Sequence, residues 1–188
     1  MIRQLRPAAT LLLLLLMLTG VVYPLVVTGV AQVAFPRQAH GSVVMVDERP
    51  AGSLPIGQAN DDPRDFWPRP SATAYNALPS GGSNLAPTSA SLAAAVAQRA
   101  ATFRAAHGLP AGAAVPVEML FASGSGLDPH ISPAAARLQV GRVSAARGLD
   151  EARVAALVEA HVERPQLGFL GQPRVNVLAL NLALDELQ

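Results

Sequence analysis

The sequence predicts a single N-terminal transmembrane helix followed by one α/β (α+β) extracytoplasmic domain. Three observations carry this expectation. Residues 7–36 hold no charged side chain. Beyond them, segments with helix-start and helix-stop signals alternate with short apolar runs and loops rich in glycine and proline. About 150 residues follow the apolar stretch, an ordinary size for one compact domain.

The apolar stretch centres on Leu11–Leu18 and continues through Val21, Val22, Leu25 and Val30 to Phe35. A bilayer core needs roughly 20 apolar residues of helix, so residues 7–36 suffice to span with some tilt. In lipid each peptide group must bond within the segment, which selects a helix, and Pro24 is expected to kink it. Arg3 and Arg6 precede the stretch with no acid beside them. The positive-inside rule then places residues 1–6 in the cytoplasm and residues 37–188 outside. A cleaved export signal is the rival reading: the charged start and Gly29-Val30-Ala31 fit it, while the apolar run exceeds the roughly 7 to 15 residues of a signal core.

In the domain, Gly41–Val46 and Gly52–Ile56 read as short strands. Residues 60–84 carry little periodicity and many turn formers, with the one tryptophan, Trp67, and Tyr75 among them. So long an irregular stretch usually carries function or wraps a partner. Ser89 or Ser91 is expected to cap a helix that Gly108 ends. Val115, Val117, Met119 and Phe121 alternate as in a half-buried strand. Ser132-Pro133 opens a helix that stops at Gly148, and Asp150 opens another that ends before Pro165. Residues 176–185 fit both a helix and a strand, and a helix capped by Asn176 is the preferred expectation.

Composition excludes several chemistries. There is no cysteine, so disulfides, thiolate zinc sites and cysteine nucleophiles are absent. All 14 basic residues are arginine, which removes a Walker lysine and a Schiff-base lysine. The net charge of +1 argues against nucleic acid. His40, His107, His130 and His161 are far apart, with no pair at zinc-ligand spacing. No serine has glycine two residues before and two after it, so the nucleophile elbow is absent and no catalytic residue is assigned. The strongest site candidate is the loop with Ser123, Gly124, Ser125, Gly126, Asp128 and His130. Its glycines and the helix start that follows could cradle an anion. The same glycines equally serve a tight turn that Asp128 fastens.

Several strings resemble the C subunit of the Kdp-type potassium-transporting P-type ATPase. They are Arg69-Pro70-Ser71-Ala72 with Tyr75-Asn76, then Ser80-Gly81-Gly82-Ser83-Asn84-Leu85, and Ala122 through Ser132. Residues 139–148 and the closing stretch 171–185 complete the likeness. Ala86-Pro87-Thr88-Ser89-Ala90 departs from the family's usual Gly-Pro-Thr-Asn-Pro, with Ser89 able to replace the asparagine as a cap.

The resemblance implies an accessory subunit of an ATP-driven potassium-uptake complex in a bacterial plasma membrane, with the N-terminal helix a permanent anchor. Its implied partners are a channel-like potassium-translocating subunit, a P-type ATP-hydrolysing subunit, a small single-span subunit and the lipid bilayer. Potassium would be the transported ion, and no cofactor would be covalently held. The family is described as a catalytic chaperone that raises the ATP affinity of the hydrolysing subunit. An outside domain would not meet cytoplasmic ATP, so two mechanisms stand: assembly of the complex, or direct help with ATP. For the second, Gln139 and the Ser123–His130 loop are the candidate nucleotide contacts. For the first, the candidate partner contacts are Trp67, Arg69, Tyr75, Asn76, Ser80, Gly81, Gly82 and Asn84. Apart from the resemblance, a membrane-anchored envelope enzyme or binding protein working alone is the alternative.

Overall fold

The computed structural model describes residues 2–187, and the chain divides into two units, 1–51 and 52–188. In the first unit, helix α1 (Ile2–Met17) passes through a π-helical turn (Leu18–Val22) into α2 (Tyr23–Ala34). Residues 3–34 form one run long and apolar enough to cross a bilayer. Pro24 does not end the helix. It lacks an N–H, and its ring would press on the carbonyl four residues back. The turn just before it widens instead, and the Tyr23 N–H reaches the Leu18 carbonyl, a π-type bond. Thr19 Oγ1 donates to the Leu15 carbonyl at 2.7 Å, so its hydroxyl is satisfied inside the helix. A four-residue α3 (Pro36–Ala39) follows. Strands β1 (Val43–Val46) and β2 (Arg49–Ser53) then pair as a two-stranded ribbon. The second strand begins three residues earlier than the expected Gly52 start.

The second unit is built on four helices and a small sheet. Helix α4 (Ala90–Ala106) is capped by Ser89, whose Oγ accepts from the Leu92 N–H. Serine therefore does fill the asparagine's place. Helix α5 (Pro133–Arg147) starts at Ser132, whose Oγ accepts from Ala135 N–H at 3.1 Å, with Pro133 in the first turn. It stops at Gly148, held at φ 67°, the left-handed geometry that glycine adopts without penalty. Helix α6 (Glu151–Ala160) returns beside α5. Its cap position is Asp150, as expected, but the carboxylate makes no capping bond. Helix α7 (Val177–Asp185) is capped by Asn176, whose Oδ1 accepts from Ala179 N–H at 3.0 Å.

The sheet has strand order β3-β5-β4, all antiparallel: β3 (His130–Ile131), β4 (Val162–Glu163) and β5 (Arg174–Asn176). It seats Ile131 and Val175 side by side beneath α5, α6 and α7. The core includes these with Phe66, Phe103, Val143, Val154, Val158, Leu180 and Leu184, all at most 3% exposed.

One expected element does not form. The alternation at 115–121 is a 3₁₀ turn (Val117–Met119), not a strand. Pro116 lacks the N–H a ladder needs and holds φ at −52°. Met119 alone of the four residues is buried, while Val117 is 67% exposed.

Candidate functional site

The irregular stretch 60–84 is tied to the body by side chains that take the place of a neighbouring strand. Asn181, on α7, accepts from the Phe66 N–H at 2.8 Å and donates to the Phe66 carbonyl at 3.0 Å. Gln139, on α5, does the same for Trp67, at 2.7 and 3.2 Å. Each amide thus pairs with one residue's backbone as an adjacent strand would. With both backbone groups satisfied, Phe66 reaches the core at 0% exposure.

Arg142, one turn beyond Gln139, completes the clamp. Its guanidinium carbon lies 4.3 Å from the centroid of the Trp67 ring, within cation–π range. It donates to the carbonyls of Pro63 and Asp65 and to Gln139 Oε1. Burial pulls its pKa down to about 10, with Asp65 and Asp62 opposing, so it stays cationic at neutral pH. Arg142 Nε also donates to His107 Nε2 at 3.0 Å. That leaves His107 Nδ1 to carry the ring proton and donate to the Phe103 carbonyl at 2.7 Å. Burial lowers the His107 pKa, the Phe103 carbonyl opposes this, and Arg142 lowers it further. The imidazole is therefore neutral, stacked on Phe103 at 3.9 Å between centroids and edge-on to Trp67. Arg147 adds the last tie: it donates to the Arg64 carbonyl and to the carboxylates of Asp65 and Asp185.

The glycine-rich loop meets the same stretch farther along. Ser123 N–H donates to the Pro70 carbonyl at 3.1 Å, and Gly81 N–H to the Ser125 carbonyl at 2.8 Å. Gly126, at φ 71°, has no room for a side chain: a Cβ there would lie 2.7 Å from Thr73 Oγ1 and 2.8 Å from the Gly81 carbonyl. On the other flank, Gly57 N–H donates to the Leu127 carbonyl at 2.7 Å. The two sets of candidate residues, far apart in sequence, therefore form one junction. Its glycines let three backbone segments approach closely.

Asp128 fastens this junction. It pairs with Arg69 Nη1 at 2.7 Å and accepts from the His130 N–H at 3.0 Å, with the His130 ring 3.5 Å away. The His130 ring holds the carboxyl down at about 2 against burial, and the His130 N–H and Arg69 reinforce it. Tyr75 OH donates to the Arg69 carbonyl at 2.6 Å, and Tyr75 N–H to Ser71 Oγ at 2.9 Å. Burial raises the Tyr75 pKa, with Arg99 opposing. Asn76 Oδ1 accepts from Leu78 N–H at 3.0 Å, a local turn bond. Ser80 and Asn84 are exposed, and Gly82 is half-buried against Gly124.

Two depressions flank the junction. One of about 380 Å³ lies along α4, lined by Trp67, Pro70, Arg99, Phe103 and Met119. The other, about 480 Å³, has Arg69, Glu118, Asp128, His130 and Arg174 in its wall. Arg69 Nε and Glu118 Oε1 are buried there without a hydrogen-bond partner. Among the described residues, no group of three or more His, Asp or Glu side chains could hold a metal ion.

Sequence reasoning marked Gln139 but not its clamp partners Asn181, Arg142 and Arg147. Asn181 left a signal: an amide amid the leucines of residues 176–185, where burial demands a full set of hydrogen bonds.

A family model described as KdpC, the c chain of K⁺-transporting ATPase, matches residues 5–186. Over 189 residues the chain is 58% identical to the potassium-transporting ATPase KdpC subunit of Sorangium cellulosum, covering 98% of each chain. It is 55% identical over 185 residues to the subunit of the same name from Cereibacter sphaeroides, again covering 98% of each. The Variovorax paradoxus subunit is 57% identical over 183 residues, which cover 96% of this chain and 94% of that one. With its pattern matched from the apolar helix through α7, the chain belongs to the KdpC family, the c chains of K⁺-transporting ATPases.

Proposed function

We propose that the protein is a non-catalytic, single-span accessory subunit of an ATP-driven potassium-uptake complex, acting by assembly and stabilisation of that complex. Its partners are a channel-like potassium-translocating subunit, a P-type ATP-hydrolysing subunit and a small single-span subunit, and potassium is the ion moved. Residues 7–36 anchor it in a bacterial plasma membrane, with residues 1–6 cytoplasmic and 37–188 extracytoplasmic. The arginines before the helix support that orientation. The face that meets the partners is the junction of Trp67, Arg69, Tyr75, Asn76, Ser80, Gly81, Gly82 and Asn84 with the Ser123–His130 loop.

The single observation that carries assembly over direct nucleotide contact is how the candidate nucleotide groups are occupied. Both amide atoms of Gln139 bond the Trp67 backbone, and Gln139 is fully buried. The glycine loop lies against residues 70–81, and the close approach at Gly126 is already filled by Thr73 and Gly81 of this chain. A phosphate cradle needs several free N–H groups pointing at open space.

Purification of the full chain in mild detergent is the test, with a reporter fused after Asp185 for topology. Recovery of the other subunits with this chain, and reporter activity outside, are the expected results. A lone active monomer would overturn the subunit reading. A protected, cytoplasmic reporter would overturn the orientation and restore direct ATP contact.

A further inference from the structure

Beyond the junction, residues 164–173 expose large apolar side chains at the tip of a hairpin. Residues 164–173 leave β4 and return into β5 as a hairpin closed by Gln166 and Leu170, each donating its N–H to the other's carbonyl at 2.9 Å. Leu167 sits at φ 54° and Gly168 at φ 84°, which closes the turn tightly. Leu167 is 83% exposed, Phe169 73% and Leu170 49%.

We infer that this tip inserts into the interfacial layer of the bilayer that anchors the chain, with anionic headgroups against its arginines. No acidic residue lies within 164–174, which begins and ends with exposed Arg164 and Arg174. Glu163 at the base pairs with Arg174 at 2.8 Å, so two arginines against one glutamate leave +1 around an apolar tip. That is the arrangement of an interfacial anchor: apolar groups below the headgroups, cations level with them.

Size selects the occupant. A stable protein–protein interface buries about 800 Å² on each partner, far more than three side chains at the end of a three-residue turn present. A lipid contact needs less, because a covalent link to a membrane helix confines the body to the neighbourhood of the bilayer. In sequence, residues 35–51 link the apolar helix to the body, and n residues of chain span at most about 3.6 Å × n. Such tethering raises local concentration enough for a weak contact to persist.

The inference rests on the membrane-anchor reading, and its test separates the two. The chain has no cysteine, so single labels are clean. Full-length L167C, F169C, V22C and A145C proteins would each carry a polarity-sensitive fluorophore. They would be reconstituted into phosphatidylethanolamine/phosphatidylglycerol vesicles that contain lipids spin-labelled near the headgroup or near the chain end. The expected result is that L167C and F169C labels are blue-shifted and quenched severalfold by the headgroup-side spin label. V22C should be quenched by the deeper one, and A145C, on the exposed side of α5, by neither. Replacing phosphatidylglycerol with phosphatidylcholine should weaken the tip signal.

Tip labels that stay in water while V22C is quenched would overturn the tip insertion and keep the anchor. An unquenched V22C would overturn the anchor. Tip labels shielded from both lipid quencher and aqueous iodide, only when the other subunits are present, would assign the tip to a protein partner and overturn the inference.

Discussion

Two irregular segments of the body treat their large side chains in opposite ways. Residues 60–70 bury Phe66 completely, whereas residues 164–173 leave Leu167 and Phe169 largely in solvent. Both are rich in proline, and neither is long enough in any regular element to satisfy its own backbone. The difference is what faces them. Asn181, Gln139, Arg142 and Arg147 supply hydrogen-bond partners to 60–70, so its peptide groups can enter the interior with the side chain. The 164–173 hairpin has backbone bonds within itself, between Gln166 and Leu170 and from Gly168 and Phe169 back to Pro165 and Gln166, and its tip stays outside. An apolar residue in a loop enters a core when its backbone is satisfied there.

Phe66→Ala should give the largest effect, because it empties a fully buried aromatic site. A loss of about 3–5 kcal/mol is expected, measured by urea unfolding of the full chain in detergent. Asn181→Ala should follow. It leaves the Phe66 N–H and carbonyl buried and unpaired, at about 1–3 kcal/mol. If it were neutral while Phe66→Ala was severe, side-chain packing alone would hold the strap.

Acidification comes next. The folded-state pKa values of His107 and Asp128 both lie below their ordinary values of 6.5 and 3.8. The unfolded chain then binds more protons, so stability falls as pH drops. The His107 contribution fades as pH drops below about 6.5, and the Asp128 contribution between about 4 and about 2. Asp128→Asn should lower the melting temperature at pH 7, and its difference from the parent should close by pH 2. A gap that stays constant with pH would show that the Arg69 pair contributes through shape and not charge. The smallest effect belongs to Leu167→Ser with Phe169→Ser, which should change stability by under about 0.5 kcal/mol. A large loss there would mean the hairpin packs on the body after all.

The helices after residue 89 were legible because their signals are local. Ser89, Ser132 and Asn176 each cap a helix by accepting from an N–H three residues on, and Gly148 ends one by its own φ. The apolar anchor was equally plain, though the π-turn before Pro24 was not, because hydropathy says nothing of how a helix absorbs a missing donor. The strand expected at 115–121 failed through Pro116, a breaker that alternation alone overrode. The three strands of the sheet were invisible, since two or three residues do not establish a period.

The candidate site was legible as two separate lists and not as one place. The Ser123–His130 loop and residues 67–84 stood out by glycine content, aromatics and turn formers. That they are one junction rests on Gly126 having no room for a side chain beside Thr73 and Gly81.

Sequence by itself determined the family, the apolar span, the absence of cysteine and lysine chemistry, and where most helices begin. Each of these rests on residue identity or on bonds reaching only a few positions along the chain. Tertiary structure alone decided that Phe66 is core, that Gln139 and Asn181 bond backbone in place of a strand, and that the 164–173 tip faces outward. The first two outcomes depend on partners 72 and 115 residues away, and no local preference of the chain encodes a contact made at that distance.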